Sequence, residues 1–128
     1  MKKNIWITIA GVYGFFGVAL GAFGAHVLKD SLAPEMVEIF KTATYYNLTH
    51  SVVILLIGLL GNEKYFKSAL FFSVGVFLFS FSLYLYVVTQ VTLFAAFTPF
   101  GGIALMIGWV LLIWESIKNR KSCDSHQC

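Results

Sequence analysis

Four apolar runs, at about 5–27, 45–61, 66–88 and 99–117, occupy most of a 128-residue chain and dictate what it can become. A hydrocarbon core ~30 Å thick takes about 20 helical residues to cross, and each run comes near that length. Inside lipid the backbone finds no water to bond, so runs of this kind span as helices. Apolar residues make up 59% of the chain and charged residues 12%, about half the share in a soluble domain, so no soluble domain is left over. The expected fold is all-α integral membrane: one four-helix transmembrane bundle.

Charge sets the expected orientation. Of nine Lys and Arg residues, Lys2, Lys3, Lys64, Lys67, Lys118, Arg120 and Lys121 fall on one side of such a bundle. Only Lys29 and Lys41 fall on the other, beside Asp30, Glu35 and Glu38. This positive-inside bias predicts both termini in the cytoplasm, N-in and C-in. The net charge of +3 is juxtamembrane and suits anionic headgroups, not nucleic acid. Cys123 and Cys128 lie in the polar tail 118–128, where a cytoplasmic setting keeps them reduced. The first run follows Lys2-Lys3 and ends in small residues, as a signal peptide does. It exceeds the 7–15 apolar residues typical of such signals, and is expected to be a retained span.

Gly14, Gly17, Gly21 and Gly24 are spaced three, four, three, so they line one face of the first span. Such a stripe lets backbones approach closely in lipid. It suits either a homodimer seam or, the favoured reading, packing against the chain's own helices. Between the first two spans, Pro34 suits a first helical turn with Ser31 as a cap. Met36, Phe40 and Ala43 share one face and Glu35, Glu38 and Lys41 another. That predicts a short amphipathic surface helix at about 34–44, whose continuity with the second span is left open. Gly61 to Lys64 forms a tight turn. The segment 89–98 carries no charge and is expected to be a loop, with Pro99, Gly101 and Gly102 opening the fourth span. Trp6, Trp109 and Trp114 suggest an interfacial aromatic belt.

Chemistry-bearing groups are few. No phosphate-cradling, nucleophile or paired-carboxylate motif occurs, and no Asp, Glu, Lys or Arg lies deep in a span, which argues against an ion-coupled transporter. His26 closes the first span and His50 lies inside the second, at depths that are expected to be similar. Tyr46, Asn47 and Tyr84 stand near as polar partners. Two facing imidazoles can ligate haem iron or a metal, or relay a proton. The favoured alternative is that each hydrogen-bonds a neighbouring helix, with ligand binding second and catalysis last. Cys123, His126 and Cys128 lack a fourth ligand and paired spacing, so no metal site is expected there.

Gly21-Ala22-Phe23-Gly24-Ala25-His26, Thr42-Ala43 with Tyr46 and His50, Phe79-Ser80-Phe81-Ser82-Leu83-Tyr84, Thr98-Pro99-Phe100-Gly101-Gly102 and Gly108-Trp109 together carry a resemblance. The chain resembles the small bacterial membrane proteins of the domain of unknown function 423 family, related to transmembrane protein 256 of animals. Asn47 stands where Gln is expected and Phe81 where Gly is usual; both histidines are kept. The resemblance implies a four-span protein of the bacterial inner (plasma) membrane and no known activity. The expectation is therefore a non-enzymatic integral membrane protein without cofactor, partnered by the bilayer and by another membrane protein or itself. The alternatives are a small ligand, haem or metal near His26 and His50, or a minimal transporter or channel formed by an oligomer.

Overall fold

The computed structural model describes residues 2–125, with side chains for 2–120 apart from Lys3 and Asn119. The Cys123, His126 and Cys128 set lies outside the described side chains. Four helical spans, Asn4–Leu28, Pro34–Leu60, Glu63–Thr89 and Thr92–Lys118, are each long and apolar enough to cross a membrane. No strand occurs among the described residues. The first span is α1 (Lys2–Phe23) with a π-helical turn, Gly24–Leu28. The second is α2 (Pro34–Leu60). A 3-10 turn, Glu63–Tyr65, leads into α3 (Phe66–Val76), a second π turn (Phe77–Phe81) and α4 (Ser82–Thr89), which together form the third. The fourth lies in α5 (Thr92–Ser125).

Local chemistry explains the ends of α2. Pro34 occupies the first turn, where a missing N–H costs nothing. Ser31 does not cap it: its hydroxyl donates to the Val27 carbonyl at 3.2 Å, and extended Ala33 is the cap residue. At the other end Gly61 turns left-handed, φ 64°, and its N–H closes on the Ile57 carbonyl at 3.2 Å. Only glycine adopts that conformation without crowding a Cβ. The expected surface helix over 34–44 is not a separate element; those residues are the first turns of an unbroken α2. A helix of 27 residues is ~40 Å long against a ~30 Å core. The excess accommodates exposed Glu35, Glu38 and Lys41.

The fourth span differs from expectation. Only Gln90 and Val91 separate α4 from α5, and Pro99 lies inside α5 instead of opening it. Gln90 makes the short turn possible. It is left-handed, φ 57°; its N–H reaches the Tyr86 carbonyl at 2.8 Å and its side-chain amide donates to the Val87 carbonyl at 2.7 Å. Two helix-end carbonyls gain partners, which offsets the strain of a non-glycine residue there. A proline within a span is tolerated because neighbouring helices and hydroxyls re-satisfy the local polar groups. Beside it, the Thr98 hydroxyl bonds that of Ser82 at 2.9 Å.

Sequence neighbours are also packing neighbours: α1 lies along α2, and α3 lies along α5. Glycines line both seams. A methyl group on Gly17 would come 2.6 Å from Leu48, one on Gly24 2.6 Å from Phe40, and one on Gly58 3.0 Å from Ile7. In the second hairpin the corresponding pairs are Gly75 with Leu105, Gly108 with Phe72, and Gly101 with the backbone of Leu78 and Phe79. Gly102 faces the Phe79 ring more loosely, at 3.9 Å. The glycine stripe of the first span is therefore occupied by this chain's own second helix.

Two apolar clusters fill the interior. One gathers Ile54, Ile57, Phe72, Val76 and Leu105; the other holds Phe40, Ala43, Tyr84 and Val87. Lys2 and Glu63 meet at 3.5 Å, so the N-terminus and the second connection share one end. Both side chains are about 70% exposed, at 71% and 69%, and pairs of this kind contribute little. Lys2→Ala should leave the unfolding midpoint in detergent unchanged; a marked drop would give that pair a role its exposure denies.

Candidate functional site

Buried polar side chains interrupt the apolar interior. α2 supplies Asn47, His50 and Ser51, and the third span supplies Ser73, Ser80 and Ser82, all buried. They face inward because α2 buries positions 40, 43, 47, 50, 51, 54, 57 and 58, one helical face.

His50 is the centre of the first group. Its Nδ1 lies 2.8 Å from the Tyr46 carbonyl, which can only accept, so Nδ1 carries the proton. That leaves Nε2 as an acceptor, and the Trp109 indole N–H donates to it at 3.3 Å. Tyr46 stacks on the imidazole with ring centroids 5.8 Å apart, and Phe72 closes another side at 5.5 Å. One neutral tautomer satisfies both nitrogens. No lone pair is free to bind iron or zinc without breaking the bond to Trp109.

Asn47, Tyr84 and Thr44 form the second group. The Asn47 amide donates to the Tyr84 hydroxyl at 3.5 Å; that hydroxyl donates to Thr44 at 3.2 Å, and Thr44 donates to the Phe40 carbonyl at 3.1 Å. A chain of donors that ends on a backbone carbonyl orients its members and has nowhere to deliver a proton. Elsewhere Tyr13 of α1 donates to the Ser73 carbonyl at 2.8 Å. Asn47 Oδ1 and the hydroxyls of Ser68 and Ser80 are buried without a partner.

The sequence-predicted residues thus divide. His50 and Tyr46 meet, and Asn47 and Tyr84 meet, but His26 joins neither group. It sits exposed on the Gly24–Leu28 turn. Gly24 packs on Phe40, and Phe40 lies ten residues from His50 along one helix, ~15 Å. The expectation of similar depth fails because antiparallel packing sets Gly17 against Leu48, which carries His26 well past His50. Metal–imidazole bonds of about 2 Å cannot bridge that gap. Among the described residues no three His, Cys, Asp or Glu side chains cluster for a metal.

Trp109 is the member that sequence reasoning placed elsewhere, in an interfacial belt. Trp114 is 66% exposed, as a belt residue is; Trp109 is 44% exposed, but it turns its indole N–H inward onto His50. The signal was available in Gly101, Ala104, Leu105 and Gly108, whose spacing marks the buried face of α5 next to it. Trp109→Phe should weaken the fold by about 0.6 kcal/mol, the mean for such bonds in membranes. A double-mutant cycle with His50→Leu should recover that figure as a coupling energy, and zero coupling would remove the bond from the account.

These features define a class: a four-span helical membrane protein with two apolar clusters and buried polar side chains that bond across its helices. A family model described as protein of unknown function (DUF423) matches residues 20–102, and the chain belongs to that family. It is similar to a UPF0382 membrane protein of Staphylococcus epidermidis, 36% identical over 90% of this chain and 97% of the relative. It is also similar to the UPF0382 inner membrane protein YgdD of Escherichia coli K12, 31% identical over 99% of this chain and all of the relative. A third relative, from Staphylococcus saprophyticus, is 32% identical over 90% of this chain. No solved structure matches it significantly.

Proposed function

We propose that this is a non-enzymatic plasma-membrane protein, both termini cytoplasmic, that works through lateral contacts with lipid or with another membrane protein. One observation carries the reading: the buried polar groups tie the first hairpin to the second. Tyr13 meets Ser73, Asn47 and Thr44 meet Tyr84, and His50 meets Trp109. Groups engaged in this way hold a scaffold together. The outer helices supply the working surface. In an apolar 18-residue stretch of each span, only 11% of residues in the first and 22% in the fourth are buried, against 39% and 44% in the two between, so α1 and α5 present most of that surface outward.

The orientation rests on the lysine and arginine asymmetry, and the bacterial relatives, one named an inner membrane protein, support the location. Topology reporters test both. A fusion after Cys128 is expected to be active only in the cytoplasm, and one inserted at 30–33 only outside. The reverse pattern would refute the orientation. A purified sample showing a Soret band, or metal lost on His50→Ala, would replace the scaffold reading with a cofactor site.

A further inference from the structure

At the Lys29 end, the first span and α2 line a cleft of about 510 Å³ along one side of their seam. That is the size of a small-ligand site, ~300–1,000 Å³. Gly21, Gly24 and Ala25 leave one wall without bulk, and Leu48 lies at its deep end. Lining positions from Val37 to Leu48 follow α2 for ~16 Å, so the cleft is elongated along the helix. Its surface is mostly apolar, and the only charged residues lining it are Lys29 and Lys41. Lys41 is paired with Glu38 at 2.7 Å, whereas Lys29 makes no ion pair among the described residues. Asp30, Glu35 and Glu38 share this end of the molecule, but none lines the cleft.

An elongated apolar slot with a free ammonium at one end matches an alkyl chain joined to an anionic head. We infer that the cleft holds one acyl chain of an anionic glycerophospholipid, with its phosphate on Lys29. The π turn Gly24–Leu28 belongs to the site, since it carries Gly24, Ala25 and Leu28 into the wall just before Lys29. The inference rests on the lipid-contact reading above, which sets Lys29 at a headgroup layer. The topology reporters test that reading, and lipid retention tests the cleft.

The experiment is native mass spectrometry of the purified full chain, titrated with phosphatidylglycerol or with phosphatidylcholine of the same acyl chains. One tightly held phosphatidylglycerol is expected, favoured by about fivefold, the effect of one lysine near a membrane surface. Lys29→Gln should abolish the preference and leave the thermal midpoint unchanged. Ala25→Phe, which fills the slot from an exposed position, should reduce retention of both lipids several-fold; should it fail to fold, Lys29→Gln decides alone. Equal retention of the two lipids by the wild type would overturn the inference. So would wild-type retention in Ala25→Phe, a free fatty acid displacing the phospholipid, or a protein dimer that Ala25→Phe dissolves without loss of lipid.

Discussion

Gly101→Ala should destabilise the bundle by about 3 kcal/mol or more, the upper part of the range for overpacking, and should lower its yield from membranes. A methyl group there would stand 2.8 Å from the Leu78 carbonyl carbon and closer still to the Phe79 nitrogen. Both are backbone atoms of the Phe77–Phe81 turn and the residue contacts lie inside a helix, so no rotamer change can relieve the clash. Gly102→Ala is the built-in comparison. Its nearest neighbour is the edge of the Phe79 ring at 3.9 Å, ordinary contact, and little change is expected. Gly11→Ala, with nothing within 4 Å, should be silent as well. Thermal unfolding in one detergent would rank the three. Equal midpoints for the two adjacent variants would mean that α5 is not held against that turn.

Phe72→Ala should cost about 2 kcal/mol. Phe72 has no exposed surface; it packs on Gly108 and sets its ring against Trp109 at 5.2 Å and His50 at 5.5 Å. In a soluble core this truncation costs ~3–5 kcal/mol, part of it lost transfer from water. In lipid the separated helices keep the ring in hydrocarbon, so that part falls away and the cavity and lost dispersion remain. Trp109 fluorescence, read in a background with Trp6→Phe and Trp114→Phe, should broaden as the indole loses a wall. A variant with unchanged midpoint and spectrum would place Phe72 outside the core.

The spans were legible because length and apolarity suffice to mark a helix that crosses a bilayer. The turn at Gly61 was legible too, since glycine followed by Asn62, Glu63 and Lys64 interrupts two apolar runs. Partners were harder to read. Around a soluble helix the apolar stripe points to the core, but a span is apolar on every side, and periodicity loses its meaning. Trp109 illustrates this: tryptophan belongs to the headgroup layer by composition, and the bond to His50 shows its indole N–H turned inward although the ring stays 44% exposed. Pro99 misled for a similar reason, as a strong start signal in water and a tolerated interior residue in a membrane. His26 and His50 were paired because both stand toward the Lys29 end; helix register, which no single sequence displays, separates them.

The glycine seams lie inside each hairpin, and apart from the Ser82–Thr98 pair the side-chain bonds between spans lie between hairpins. This division has a consequence for biogenesis. A nascent chain that has emerged only as far as Gly61 already holds every surface that α1 and α2 need to close on each other, and the same is true of α3, α4 and α5 after it. Each half can therefore enter the bilayer as a finished wedge, matched mainly by shape. The two wedges then find their relative height by a few bonds that tolerate no sliding, because a shift of one helical turn would leave the hydroxyls of Tyr13 and Tyr84 and the indole N–H of Trp109 without their partners. Two separately synthesised fragments, divided at the Gly61–Asn62 connection, should accordingly assemble into the same bundle.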